Sequence, residues 1–189
     1  MEFEEKFKAF MEGLAPVRSD WEFVTSANGS LAVATPIVRV GVNATGGGLW
    51  IKNSKDNTTA TLKYGGVGGS FGVELLPSLI DFSFSIPQMP SAGVIYKFPY
   101  AGRTLSLSEF EGAFVMFEIF GDVGPGVSGA LMFLGCSTFW ASVIGLVSEG
   151  VLIVPTLMAT ACACVRFGGL TYSPIPVNAG VNVYIGSIF

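Results

Sequence analysis

GALMFLGCSTFWASVIGLV, residues 129–147, then the polar break Ser148-Glu149-Gly150, then VLIVPTLMATACACV, residues 151–165, is the stretch on which the reading of this chain turns. The first run holds no charge and is long enough, at about 1.5 Å per helical residue, to cross a hydrocarbon layer of about 30 Å. The second is shorter and is interrupted by Pro155. Read as helices, the two form a hydrophobic hairpin within 129–165 with its turn at Glu149, and Ala141 and Gly145 give one small-xxx-small spacing for helix packing. Read as strands, they are consecutive buried strands punctuated by Gly135, Gly145 and Gly150. Those glycines and the Val and Ile residues of 143–154 lower helix propensity. Periodicity does not separate the two readings.

The wider setting of this stretch is a sharp charge asymmetry. From Val123 to Phe189 the only charged residues are Glu149 and Arg166. A segment so poor in charge needs a core, a partner or a bilayer to face. The 189-residue chain is 13% charged and 50% apolar, with a mean hydropathy of +0.59. An ordinary soluble domain is about 25% charged. The chain is long enough for one domain with a sizeable core, and no composition shift marks a domain boundary. We therefore expect a single domain over 1–189. It divides into an N-terminal helix (1–16), a β-rich body (30–122), the apolar segment (123–166) and a final strand (177–189).

Upstream, period-two alternation dominates. Val38, Val40 and Val42 alternate with polar or small residues, and 48–64 reads as a hairpin around Asn53-Ser54-Lys55-Asp56-Asn57. Ile80, Phe82, Phe84 and Ile86 form the cleanest alternating run, ended by Pro87. Val94, Tyr96 and Phe98 suggest another strand, and so do Leu105 and Leu107. Residues 113–120 read as a buried strand rather than a helix, and 177–189 alternates again. Phe3, Phe7, Phe10 and Leu14 repeat at helical spacing, predicting a short amphipathic helix over 2–14 that Gly13 and Pro16 end. The expected fold is mainly β, a mostly antiparallel barrel or sandwich, with that short N-terminal helix.

The glycine run Gly65-Gly66-Val67-Gly68-Gly69-Ser70-Phe71-Gly72 misses the dinucleotide fingerprint, because Phe71 stands where the third glycine belongs, and it lacks the Gly-Lys-Ser/Thr of a P-loop. It reads as a bend or bulge where another backbone approaches closely. Gly121, Gly124, Pro125 and Gly126 make a strong turn where the charge disappears, predicting a hinge between the sheet and the apolar segment.

Chemistry is poorly supplied. The chain has no histidine, which removes Ser-His-Asp and Cys-His catalysis and the commonest metal ligand. Cys136, Cys162 and Cys164 without histidine make a poor zinc site and read as small core residues. Glu109, Glu111, Glu118 and Asp122 cluster in sequence and could provide an acid and base for glycoside hydrolysis, although such clusters are usually solvated faces. The ten cations are scattered and the net charge is −4. That excludes nucleic acid as a partner and makes attraction to anionic lipid weak. The Met1-Glu2-Phe3-Glu4-Glu5-Lys6 start does not read as a cleavable signal.

The closing alternation ending in Phe189 resembles that of transmembrane barrel proteins over nine residues. Ser187 interrupts its lipid-facing row, and the long uncharged runs depart from a barrel with a polar lumen. The expected function is that of a membrane- or lipid-interacting protein that is not an enzyme and carries no cofactor or metal. It is expected to be membrane-associated, contacting lipid or a partner through Leu131, Phe133, Leu134, Phe139, Trp140, Ile144, Leu152 and Ile153. The alternatives are a structural subunit that forms a homo-oligomer through apolar surfaces, and a histidine-free carboxylate-based hydrolase.

Overall fold

The computed structural model describes residues 13, 15–24, 43–71, 93–102, 104–120, 127–138, 157–170 and 180–189. Among these, eight strands close into one antiparallel barrel. They are β1 (Val17–Phe23), β2 (Asn43–Asn53), β3 (Thr59–Phe71), β4 (Val94–Lys97), β5 (Gly112–Phe120), β6 (Val127–Cys136), β7 (Ala163–Leu170) and β8 (Gly180–Ile188). Their order around the ring is β1-β2-β3-β8-β5-β6-β7-β4, and β4 pairs back onto β1.

The β2–β3 hairpin forms where the sequence predicts it. Leu49, Ile51, Leu62 and Tyr64 point inward and are buried, while Trp50, Thr61 and Lys63 between them are exposed. Its turn is set by short polar side chains. The Lys55 N–H donates to Asn53 Oδ1 at 2.9 Å and the Thr58 N–H to Asp56 Oδ1 at 2.9 Å. Asn57 takes the left-handed conformation, φ 60°, which Asn tolerates better than most residues.

The ring closes at an irregular seam. Between Arg18 and Glu22 the β1–β4 register slips, so part of the ladder is interrupted. The buried Ser19 fills the gap: its hydroxyl donates to the Ile95 carbonyl at 2.6 Å and accepts from the Trp21 N–H at 3.1 Å. The Trp21 indole N–H then donates to the Leu105 carbonyl at 2.7 Å, and its ring meets Phe110 edge-on at 5.5 Å. The 104–110 segment is thereby anchored to the barrel interior.

The glycine run lies in β3 as continuous strand, paired with β2 on one side and β8 on the other. The close backbone approach expected there is present, without the bulge. A Cβ at Gly66 would sit 2.8 Å from the Ile185 carbonyl oxygen and 2.8 Å from the Phe114 ring, and one at Gly68 would collide with the Val183 carbonyl. The Phe114 ring fills the space that side chains leave empty here.

Two expectations need correction. Helices within 129–165 do not form at either end of the stretch: Val127–Cys136 and Ala163–Leu170 are strands, paired antiparallel from Val127↔Leu170 to Leu134↔Ala163. Leu105 and Leu107 do not lie in a strand. Leu107–Glu109 is a 3-10 turn, because Ser106 and Glu109 form a capping box that satisfies the free N–H groups. The predicted N-terminal helix over 2–14 lies outside the described residues except for Gly13, which is helical. The predicted strands at 38–42 and 80–86 also lie outside them.

Candidate functional site

Strands β5, β6 and β7 differ from β1–β3 in one respect: over 113–117, 131–134 and 163–165 they are buried on both faces. Phe114, Met116, Met132, Leu134 and Val165 belong to the barrel interior. Their neighbours Val115, Phe117, Leu131, Phe133 and Cys164 point outward and are equally buried, none more than 1% exposed. A strand covered on both faces has no reason to alternate. That accounts for the uncharged stretches 131–134 and 163–165, which lie in these strands.

An aromatic row crosses this outer flank. Phe117 meets Phe133 edge-on at 6.1 Å, Phe133 stacks on Phe98 at 6.0 Å, and Phe98 stacks on Tyr100 at 5.7 Å. Offset and edge-on ring contacts at such distances are favourable beyond their buried area. Tyr100 ends the row at the surface, half exposed, and its hydroxyl donates to the Ala161 carbonyl at 2.7 Å.

Of the predicted contact residues, Leu131, Phe133 and Leu134 therefore lie together on β6. Leu134 faces the interior, while Leu131 and Phe133 face the covered outer flank. Phe139, Trp140, Ile144, Leu152 and Ile153 lie outside the described residues. So do the predicted hinge residues Gly121, Gly124, Pro125 and Gly126.

The thiols are placed for packing. Cys162 Sγ donates to the Glu109 carbonyl at 3.0 Å. Burial pushes the Cys136 and Cys162 thiols up to about 12, and pushes Cys164 up as well. All three stay protonated near neutral pH, which is the wrong state for a nucleophile or a metal ligand. Among the described residues no group of three His, Cys, Asp or Glu side chains is placed to hold a metal ion.

Of the four clustered carboxylates, the side chains of Glu109 and Glu111 are described and that of Glu118 is not. Glu109 is committed to its cap, accepting from the Ser106 N–H at 2.6 Å and from the Ser106 hydroxyl at 2.9 Å. Glu111 is exposed, and Asp122 lies outside the described residues. Among the described helices none is long and apolar enough to cross a membrane.

No protein-family model and no solved structure matches the chain. Among curated proteins it is similar to Toxin protein Tse4 of Pseudomonas aeruginosa, with 25% identity over 190 residues spanning 90% of this chain and 94% of that protein. This likeness corrects the expectation that the chain is not an enzyme. Toxins act by catalysis as well as by binding, so the missing histidine does not exclude catalysis.

Proposed function

We propose that this protein is a toxin that acts at a lipid membrane, and that the apolar segment 123–166 is the part that meets lipid. The observation that carries the reading is the composition of the segment, in which Glu149 and Arg166 are the only charged residues from 123 to 166. Where it is described in β6 and β7 it is apolar on both faces, and in this fold the outward Leu131, Phe133 and Cys164 are covered by the chain itself. A segment so poor in charge suits an apolar environment as well as a core. The end-to-end likeness to a toxin suggests what such contact would serve.

The test uses the purified chain and dye-loaded phospholipid vesicles. Co-sedimentation with vesicles, accompanied by release of dye or loss of an imposed ion gradient, is the expected result. A protein that stays in the supernatant and leaves vesicles of every composition intact would refute the reading. A large, defined oligomer in plain buffer without vesicle binding would favour an assembly subunit instead.

A further inference from the structure

Four of the six large hydrophobic side chains exposed among the described residues gather on one side of the barrel. Val24, Trp50, Val67 and Phe189 are 39, 39, 61 and 69% exposed. Strand pairing makes them neighbours. The Val24 N–H donates to the Trp50 carbonyl. Trp50 lies opposite Thr61, and Gly48 lies opposite Lys63. Lys63 and Phe189 exchange two backbone hydrogen bonds, at 2.8 and 2.9 Å. Val67 lies four residues further along β3, opposite Ile185. At about 3.4 Å per residue and 4.8 Å between strands, the patch extends roughly 20 Å along β3 and 15 Å across it.

Its floor is bare backbone. Gly65 and Gly69 have open space where a Cβ would project, and the Trp50 ring lies beside Gly48, its nearest carbons 3.8 and 3.9 Å from the position of a Cβ there. The patch is therefore low and flat. Its backbone polar groups are used in the β2–β3–β8 ladders, so removing water from them costs little.

Its charge is equally specific. Lys63 stands in the middle and forms no ion pair among the described residues, whereas the nearby acids are engaged: Glu22 with Arg18 and Asp20 with Lys55, both at 2.7–2.8 Å. These pairs lie towards the β2–β3 turn, leaving the patch without a carboxylate among its described side chains.

We infer that the Val24–Trp50–Lys63–Val67–Phe189 face is the surface on which the folded barrel rests in the headgroup layer of a phospholipid bilayer. The inference rests on the membrane reading above and names a second contact, outside 123–166. Trp and Phe beside a lone Lys is the chemistry of the bilayer interface: rings sit at headgroup level and the ammonium reaches a lipid phosphate. The chain as a whole is acidic, so long-range attraction is weak. Apolar contact supplies the anchoring and Lys63 orients it. Two other occupants fit less well. A closed ring offers no free strand edge to an extended peptide. A second copy docked about a two-fold axis through the patch centre would bring Lys63 against its own image, and like charges brought together there repel.

The buried, protonated thiols make the test direct, because an added surface cysteine is the reactive one. A polarity-sensitive dye is attached to Val67→Cys, and in a second variant to Asp56→Cys at the exposed hairpin turn. Unsubstituted protein supplies the labelling background. With vesicles of phosphatidylcholine and phosphatidylglycerol, the dye at position 67 shifts to the blue and the dye at position 56 does not. Lys63→Gln lowers partitioning roughly fivefold, as expected for one cation at an anionic surface. Co-sedimentation with an unresponsive dye at position 67, or with equal shifts at both positions, overturns the patch and leaves the membrane function standing. Loss of co-sedimentation overturns both. A blue shift that grows with protein concentration without vesicles shows that the face joins two copies, and overturns the lipid assignment.

Discussion

Replacing Ser19 with Ala removes a single oxygen from the barrel seam. In the native protein the Ser19 hydroxyl is buried, donates to the Ile95 carbonyl at 2.6 Å and accepts from the Trp21 N–H at 3.1 Å. Because β1 and β4 slip register here, the methyl of Ala leaves two backbone groups short of a partner in a site with little room for water. A buried group left unsatisfied costs about 1–3 kcal/mol. Partial relaxation of the slipped strand brings the expected total to roughly 2–3 kcal/mol. No sizeable cavity is created, so a packing contribution is small. For a chain of this size, about 1 kcal/mol shifts the midpoint by roughly 2–4 °C, so the variant should melt about 5–10 °C below the parent. Calorimetry and urea unfolding, with Ser108→Ala at an exposed position as control, would measure this. A Ser19→Ala variant that melts with the parent would refute the reasoning, because the seam would then be held by something other than this hydroxyl.

Two glycines of β3 should behave oppositely to two others on the same strand. Gly66→Ala and Gly68→Ala, whose Cβ atoms would meet the β8 backbone, should each cost about 2 kcal/mol or more by overpacking. Gly65→Ala and Gly69→Ala should be nearly neutral in urea unfolding. Leu134→Asp, which puts a carboxylate into the interior, should cost about 3–5 kcal/mol and lower soluble yield. Charge removal at Lys55, whose bond to Asp20 is exposed, should change stability by less than about 1 kcal/mol. The folded barrel holds the Cys136 and Cys162 protons up to about pH 12, while an unfolded thiol releases its proton near 8.5. The stabilisation is therefore complete below about pH 8.5 and declines as pH rises towards 12, by about 1.4 kcal/mol per pH unit for each thiol. Urea midpoints measured from pH 7 to 10 should fall, and a Cys136→Ala/Cys162→Ala/Cys164→Ala variant should show a flatter profile.

What the sequence reveals follows from how many faces of a strand meet water. In β2 and β3 the inward Leu49, Ile51, Leu62 and Tyr64 are separated by exposed residues, so the strands and the hairpin can be read directly. In β6, Leu131, Met132, Phe133 and Leu134 are all buried. Period two vanishes there, and strand cannot be distinguished from helix. Leu105 and Leu107 imitate alternation, yet the overlapping Ser106-x-x-Glu109 is a capping signature, and it marks the 3-10 turn. The exposed patch around Trp50 and Val67 is illegible for a different reason. Trp50, Lys63 and Val67 each read as one ordinary outward residue, and only the placement of β8 beside β3 brings Phe189 to Lys63. Long-range strand order of that kind is not encoded in any local window.

The position of β8 between β3 and β5 also bears on how the chain is made. Until residues 180–188 have left the ribosome, the nascent polypeptide has two unpaired sheet edges and an open, greasy wall. Synthesis at about 5–20 residues per second keeps it so for roughly 5–20 s, the time needed to make the stretch from the end of β3 at Phe71 to the start of β8 at Gly180. Pairings between distant segments also form slowly. The nascent chain is therefore at its most adhesive over that interval, and the ring closes only when β8 slots between β3 and β5.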